Sequence, residues 1–446
     1  MRATNQTIGI LQHLRLHDEP FILRKGALPQ WSDEGLHKAA YEENPELYAL
    51  LGVAKGVLPQ GRDRILFQLL RTSRDGMSLE MRHTLERVTN FLLNILHPDR
   101  VLTVFLALRR VRANHKHTSK TILNYILNHP YFEDMASCRR PTLVDCLEHA
   151  MGRNVARACA KMFANPEVAD ELYLRRNLLK FARDPETVKV IFPLLYQPGN
   201  SKPGNGNYQL AYAENLEKLQ EKQERPKTIT ATNRGDISAT LIHLYRGGTS
   251  AELAQALEAY VEEAAEKSPK FNGKLALILD ASFSTKGYGD REYCCISQSV
   301  ALKLILEKCC PNLQVYPVGG SGHIPIPEGS TDLANALLDA LENQPDLVAI
   351  ISDGYENSYP GELARVVATL PQIGINTPVV FCHSKFTNND DLTLRQPANN
   401  LPQLEFWHQE DFEDLMMSLF AMTNQNSTEF SLQEFLNKRL DLAICH

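Results

Sequence analysis

The sequence lacks the features that would direct it into or across a membrane. Its 446 residues contain no apolar run approaching the roughly 18 residues that a membrane span requires. The first ten residues, MRATNQTIGI, include one arginine but neither a long apolar core nor a small-residue cleavage site. We therefore expect a cytoplasmic protein with no membrane contact. With 43% hydrophobic and 22% charged residues, the composition is that of a globular chain long enough for two or three domains.

The sequence also lacks the cysteine spacing of a disulfide scaffold or a zinc module. Its nine cysteines are odd in number, and no two of them form a Cys-x-x-Cys pair. Most of them lie in apolar segments, which predicts reduced thiols in the core.

The chain as a whole has no excess of basic residues, but its middle part does. The formal net charge is −6, yet residues 51–200 hold 23 Lys and Arg against 14 Asp and Glu. Residues 271–446 hold only 10 basic side chains against 22 acidic ones. A basic middle favours a polyanionic partner, although helical surfaces also carry solvated Lys and Arg that bind nothing.

The first part of the chain has the periodicity of helices. Over residues 32–195, apolar side chains recur every three to four positions in segments such as SLEMRHTLERVTNFLLNILH, RVLTVFLALRRV and TLVDCLEHAMGRNVARACAKMF. Breakers such as His129-Pro130 separate these segments, and short connections favour antiparallel neighbours. We predict an all-α domain of HEAT-like helical repeats over residues 1–270, with a polar linker at about 197–227.

The period changes after Gly273. Short continuous apolar runs, which alternate with helical patterns, are LALILD (275–280), LQVYPV (313–318), LVAIISD (347–353) and TPVVFCH (377–383). Runs that are apolar on both faces predict a parallel sheet covered by helices on both sides. We therefore predict an α/β Rossmann-like domain over residues 271–426, and a C-terminal helix within 427–446 that docks on the body of the protein.

Oxygen-bearing side chains follow three of these predicted strands. The first strand leads into Asp280-Ala-Ser-Phe-Ser, the loop after the second into Gly329-Ser-Thr-Asp, and the third into Ser352-Asp-Gly. Ligands of open parallel sheets bind at the carboxyl ends of the strands. Two carboxylates and three hydroxyls without His or Cys favour Mg²⁺, Mn²⁺ or Ca²⁺ over zinc.

The motif DASFS, a threonine about fifty residues later and the motif ISDG together resemble the metal-ion-dependent adhesion site of von Willebrand factor A domains. The resemblance implies a divalent cation, with Mg²⁺ the favoured ion, and an open coordination position for the carboxylate of a protein partner. The ligands that it implies, some of them acting through water, are Asp280, Ser282, Ser284, Thr331 and Asp353. No general base or nucleophile accompanies this set, so we expect binding rather than enzymatic activity, and a metal-dependent hydrolase is disfavoured.

Two further stretches resemble the Ro autoantigen family. LALRRVRANHKHTSKTILNYILNHP (106–130) is similar to part of its TROVE module, and ALEAYVEEAAEKSPKFNGKLALILDASFST (256–285) is similar to its junction with the A domain. The resemblance implies a ring of HEAT-like repeats, closed by the A domain, that binds structured or misfolded non-coding RNA as a ribonucleoprotein.

Basic side chains on successive predicted helices are the candidate RNA contacts, because Arg and Lys neutralise phosphates. They are Arg109, Arg110, Arg112, His115, Lys116, His117, Lys120, Arg139, Arg140, Arg153, Arg157, Lys161, Arg175 and Arg176. The alternative is a protein-interaction adaptor, in which a helical solenoid couples the metal-dependent A domain to an ATPase or conflict-system complex.

Overall fold

The chain forms a helical unit and an α/β unit. The computed structural model describes residues 2–19, 22–24, 27–197, 236–248, 251–386, 395–423 and 431–445. The helical unit comprises the described residues of Gly9–Gln223 and Leu436–His446, and the α/β unit those of Met1–Ile8 and Glu224–Phe435. Apart from its first residue, the predicted linker at about 197–227 lies outside the described residues.

Twelve α-helices precede residue 198 in the described part of the chain. They are α1 Arg2–Leu16, α2 Glu34–Glu43, α3 Pro45–Leu51, α4 Pro59–Arg71, α5 Leu79–Ile95, α6 Pro98–Arg110, α7 Lys116–Leu127, α8 Phe132–Cys138, α9 Arg140–Met151, α10 Arg153–Ala164, α11 Glu171–Asn177 and α12 Pro185–Leu194. Proline opens α3, α4, α6 and α12, where the missing N–H has no intrahelical partner to lose. Leu66, Leu92 and Leu108 are completely buried on the apolar stripes of α4, α5 and α6.

One predicted helical segment is divided in two. The stretch TLVDCLEHAMGRNVARACAKMF forms α9 and α10, which meet at Gly152. Gly152 has a φ of +86°, in the left-handed region that favours glycine. The apolar stripe continues across the break, so its periodicity alone does not reveal the turn.

The α/β unit contains a five-stranded parallel sheet. The helices and strands of the unit are α13 Ile237–Tyr245, α14 Ala251–Lys267, β1 Lys274–Ala281, α15 Cys294–Cys309, β2 Asn312–Gly319, α16 Leu333–Glu342, β3 Leu347–Ser352, α17 Glu362–Thr369, β4 Val379–Ser384, β5 Gln403–Phe406 and α18 Phe412–Phe420. The strand order is β2-β1-β3-β4-β5, and all neighbours pair in parallel.

Both faces of the sheet are covered, as the continuous apolar runs predict. Leu277 and Leu279 of β1 belong to one buried cluster together with Val300 of α15. Ile278 belongs to a second cluster, on the other face, together with Leu337 of α16. Helices α13 and α14 precede the predicted boundary at residue 270, yet they belong to the α/β unit, where Leu241 joins the first cluster.

The last helix, α19 Leu432–Cys445, returns the chain to the helical unit. Leu436 and Leu440 are completely buried there, and Asp441 forms an ion pair with Arg87 of α5. None of the helices in the described ranges combines the length and the apolar character needed to cross a membrane.

Candidate functional site

The five predicted metal ligands meet where β1 and β3 end. β1 lies between β2 and β3, so the chain leaves β1 on one side of the sheet and returns on the other, which opens a crevice at the strand ends. Asp280, Ser282, Thr331 and Asp353 are all completely buried, and Ser284 is half-buried. We call this group of five residues the strand-end site.

Hydrogen bonds connect the members of the strand-end site. Thr331 Oγ1 donates to Ser282 Oγ at 2.7 Å, and Ser282 Oγ lies 3.1 Å from Ser284 Oγ. Asp280 Oδ2 accepts from Ser352 Oγ at 2.5 Å, while its Oδ1 accepts from the backbone N–H of Ser282 at 2.9 Å. The hydroxyls are therefore already turned toward one another and toward the carboxylate.

The second carboxylate has an oxygen with no partner. Asp353 Oδ1 accepts from the backbone N–H of Tyr355 at 3.2 Å, but its buried Oδ2 accepts no hydrogen bond from any residue that the structure describes. Burial raises the pKa of both Asp280 and Asp353, and the neighbouring Asp280 raises the pKa of Asp353 further. Two buried carboxylates with one unpartnered oxygen form a site that a cation stabilises.

Glycines let the loops approach the strand-end site closely. The backbone N–H groups of Gly320 and Glu328 both donate to the carbonyl of Ala281, at 3.0 Å each. A Cβ atom on Gly320 would lie 2.0 Å from the carbonyl oxygen of Ile326. Only glycine fits this position, which brings the loop that carries Thr331 against the end of β1.

Arg395 is a site neighbour that the sequence pattern does not indicate. Its Nη1 donates to the backbone carbonyl of Asp353 at 3.0 Å, and its guanidinium carbon lies 5.3 Å from the centre of the Tyr355 ring. Arg395 therefore positions the loop after β3. It lies in a stretch of the sequence with no recognisable periodicity, so nothing in the sequence pointed to it.

The donor set of the strand-end site fits a hard divalent cation. All five predicted ligands offer oxygen, and Mg²⁺, Mn²⁺ and Ca²⁺ prefer oxygen. Such an ion would neutralise Asp280 and Asp353 and supply a Lewis-acidic position to an incoming carboxylate. The protein itself contributes the hydrogen-bonded hydroxyls and the buried carboxylates to such a site.

A second candidate site is a basic groove in the helical unit. It is a cavity of about 870 Å³ between α5, α7 and residues 180–183. Its charged lining consists of Arg74, Asp75, Arg82, Glu86, Lys116, Lys120, Lys180 and Arg183. Six of these side chains are basic and two are acidic, so the groove is positive overall. Lys120 Nζ and Glu86 Oε1 form a 3.1 Å ion pair across it.

Two polar rows produce the basic groove. Residues 82, 86, 90 and 94 of α5, and residues 116, 120, 124 and 128 at α7, recur at four-residue spacing and each occupy one helix face. Asn128 anchors the third wall, since its Nδ2 donates to the carbonyl of Phe181 at 2.8 Å and its Oδ1 accepts from the N–H of Arg183 at 2.5 Å.

Four of the predicted RNA contacts line the basic groove, namely His115, Lys116, His117 and Lys120. Burial, assisted by the charge of Arg74, lowers the pKa of His117 to about 4, and burial lowers the pKa of His129 in the same groove to about 4. Both rings are therefore neutral near pH 7, and the positive charge of the groove comes from Lys and Arg.

Most of the other predicted contacts already have protein partners or lie elsewhere. Arg109 pairs with Asp145 at 2.5 Å, and Arg153 and Arg157 pair with Glu148 at 3.9 and 2.9 Å. Arg139 Nε and Nη2 donate to the two carboxylate oxygens of Asp99 at 2.8 Å each, and Arg140 Nε donates to the carbonyl of Leu195. Residues that are exposed and do not line the groove are Arg110, Arg112, Lys161, Arg175 and Arg176.

The candidate RNA contacts chosen from the sequence do not include Arg74, Arg82, Lys180 and Arg183, which also line the groove. For Arg82, the available signal was the polar row of α5, opposite its apolar stripe. A search for clustered Lys and Arg passes over that row because glutamate and asparagine interrupt it.

Comparisons of the sequence with known proteins give no match. No model of a known protein family matches the chain, and no curated protein matches it significantly.

Proposed function

We propose that the protein is a Ro-like RNA-binding protein whose helical unit holds structured or misfolded non-coding RNA in the basic groove. The observation that carries this proposal is the lining of the groove, where six Lys and Arg side chains face a cavity of about 870 Å³ with two carboxylates between them. Phosphate neutralisation by such side chains supplies most of the affinity of a protein for nucleic acid.

The neutral lining of the basic groove favours RNA over a simple anion. Asn90, Asn94 and Asn124 carry amides that can donate to and accept from the exposed edges of unpaired bases. Phe181 lies in the wall of the groove and is partly exposed, so its ring can stack with an unpaired base. This combination suits a single-stranded segment of a structured RNA.

We propose in addition that the strand-end site binds a carboxylate of a protein partner through a divalent cation, as the resemblance to von Willebrand factor A domains implies. Exposed aromatic rings next to its loops support this. Phe283 stands between two predicted ligands and is 66% exposed, and Tyr355 follows Asp353 by two residues. Tyr359 is also exposed. It lies close to the site, because the N–H of the preceding residue, Ser358, donates to the carbonyl of Thr331. Exposed aromatic residues are enriched where proteins bind one another.

The test of RNA binding compares two triple variants of equal charge change. One variant carries Arg82→Gln, Lys116→Gln and Lys180→Gln in the basic groove. The control carries Arg109→Gln, Arg153→Gln and Arg157→Gln, which line a different cavity together with Asp145 and Glu148. Binding to a structured RNA with a single-stranded end is measured by fluorescence anisotropy over a range of salt concentrations.

We expect the groove variant to bind at least about tenfold more weakly, with a logarithmic salt slope shallower by about 2 to 3, and the control to match the parent. If the control loses as much as the groove variant, the groove is not the binding site. Absence of RNA from the purified parent, together with no binding at low salt, would reject RNA binding and favour the protein-interaction adaptor.

A further inference from the structure

Three imidazoles converge on one carboxylate in the helical unit, in a group that neither proposed activity uses. The Nε2 atoms of His13, His17 and His37 lie 2.8, 3.5 and 3.3 Å from Asp33 Oδ2. The ligand atoms of His13, Asp33 and His37 all lie within 4.8 Å of one another. We call these four residues the histidine cluster.

The sequence builds the histidine cluster from two pairs of residues spaced by four. His13 and His17 stand at the end of α1, where the N–H of His17 donates to the carbonyl of His13 at 2.8 Å. Their rings stack with centres 4.5 Å apart. Asp33 and His37 stand at the start of α2. Residues four apart share one helix face, so each pair presents its side chains in one direction.

The buried half of the histidine cluster is oriented by its surroundings. His37 is completely buried, and its Nδ1 lies 2.6 Å from the hydroxyl of Tyr48. Its Nε2 is also buried, faces Asp33, and has no hydrogen-bond partner of good geometry among the described residues. In the tautomer in which Nδ1–H donates to Tyr48, Nε2 carries a lone pair that points at a carboxylate oxygen of Asp33. Two electron pairs that face each other at this distance are stabilised by a cation between them.

Asp33 is held in a way that leaves one oxygen available. Arg64 Nε donates to Asp33 Oδ1 at 2.7 Å, whereas the histidines face the other oxygen, Oδ2. Hydrogen bonding of the second oxygen is the usual way in which a ligating carboxylate is fixed in place. His13 and His17 have side chains that are 25% and 22% exposed, so an ion can reach the cluster from solvent.

We propose that His13, Asp33 and His37 bind a zinc ion, with His17 as the fourth ligand. Imidazole nitrogen together with one carboxylate oxygen is a donor set that selects zinc over Mg²⁺ or Ca²⁺. Ligand atoms of a tetrahedral zinc site, at about 2.0 to 2.2 Å from the metal, are about 3.3 Å apart. The three imidazole nitrogens lie at similar distances, 2.8, 3.5 and 3.3 Å, from Asp33 Oδ2. The ion fastens α1 to the start of α2, so its role is structural.

The first measurement is the metal content of the untagged protein, purified without chelator and analysed by inductively coupled plasma mass spectrometry. We expect about one zinc per chain in the parent. In His13→Gln and in His37→Gln we expect a zinc affinity at least about tenfold lower, and therefore less zinc per chain after purification. His83→Gln, the same substitution at an exposed histidine of α5, is the matched control and retains the zinc. Asp353→Asn also retains it, because the strand-end site is a different site.

The second measurement replaces zinc with Co²⁺ in the chelator-treated protein. Tetrahedral Co²⁺ bound to nitrogen and oxygen gives strong visible absorption, which we expect in the parent and in His83→Gln but not in His13→Gln. Because His37 is buried, His37→Gln can fail to fold. In that case the result for His13→Gln, a variant at a partly exposed position, tests the proposal. Circular dichroism checks that this variant is folded. The proposal is overturned if the parent holds no zinc and shows no cobalt absorption, or if His83→Gln loses as much metal as His13→Gln.

Discussion

Two buried aspartates show that the partners of a carboxylate decide what its burial means. Burial opposes ionisation of Asp33, yet the polar groups around it, which are the imidazoles of His37 and His13 and the guanidinium of Arg64, hold its pKa well below the usual range. Asp353 has the carboxylate of Asp280 as its neighbour, and its pKa is raised. Asp33 is therefore ionised beside its polar neighbours, whereas burial and the charge of Asp280 oppose ionisation of Asp353.

The first prediction concerns Asp353→Asn. In the metal-free protein, the pKa of Asp353 is higher in the folded than in the unfolded state. Its contribution to stability is thus present below the unfolded pKa of about 3.9 and is lost as the pH rises through the folded pKa. The metal-free variant should therefore be more stable than the metal-free parent near pH 7, with little difference near pH 4. Thermal unfolding over this pH range measures the effect.

Added Mg²⁺ should raise the unfolding temperature of the parent and of the exposed control Asp339→Asn. Asp353→Asn should need at least about tenfold more Mg²⁺ for the same rise, because affinity depends on the number of charged ligands. Equal Mg²⁺ responses in parent and Asp353→Asn would contradict the proposed ligand set.

At the scale of the element, the loop between β2 and α16 is as important to the strand-end site as the strands are. It carries Thr331 and is held against β1 by two N–H groups that share the carbonyl of Ala281. Such a junction requires close backbone approach, which a side chain on Gly320 would prevent.

The second prediction is that Gly320→Ala weakens Mg²⁺ binding by at least about tenfold, because the new Cβ pushes the loop, and Thr331 with it, away from β1. Gly322→Ala is the matched control. Gly322 has a φ of +99°, but a Cβ atom added there would have nothing within 4 Å. This variant should therefore lose about 1 kcal/mol of folding stability through backbone strain alone. Mg²⁺ titrations followed by unfolding temperature compare the two. A Gly322→Ala protein with the larger loss of affinity would show that strain, not the clash, controls the site.

The elements also show which features the sequence could predict. β1 to β4 are predicted because each is a continuous apolar run. Asp280, Ser282, Ser284 and Asp353 stand at or just after the ends of two of these strands, whereas Thr331 lies well beyond the end of β2 and was included through the resemblance. β5 was not predicted, because QLEF is short and only its last residue is fully buried. The ion pairs of Arg109 and Arg157 depend on residues of other helices, and the two pairs of the histidine cluster meet only when α1 and α2 pack. Contacts between distant segments are invisible to periodicity.

At the scale of the whole molecule, the net charge of −6 averages two different surfaces. The excess of acidic residues after residue 271 includes the carboxylates of the strand-end site, and the basic excess of residues 51–200 includes the groove. Many basic side chains of the helical unit are paired with nearby carboxylates, as Arg109 is with Asp145. The charge that is available to a polyanion is therefore smaller and more localised than the composition suggests.

The third prediction tests whether the C-terminal helix completes the helical unit. Leu440 is completely buried, so Leu440→Ala should destabilise the helical unit by about 2 to 4 kcal/mol. Leu442, on the same helix, is 54% exposed, and Leu442→Ala should change stability by less than about 0.5 kcal/mol. Urea unfolding measures both variants, and the Mg²⁺ response of the α/β unit should be unchanged. A stable Leu440→Ala protein would mean that α19 adds little to the unit.

The return of α19 to the helical unit has a consequence for how the protein is made. A ribosome releases the chain from its N-terminus, so the whole α/β unit emerges before Leu436 and Leu440 do. The helical unit, most of which precedes the α/β unit in the chain, therefore lacks Leu436 and Leu440 until the α/β unit has emerged. A stop codon at position 436 would leave a chain that holds every residue of the strand-end site but lacks the two buried leucines that α19 adds to the helical unit.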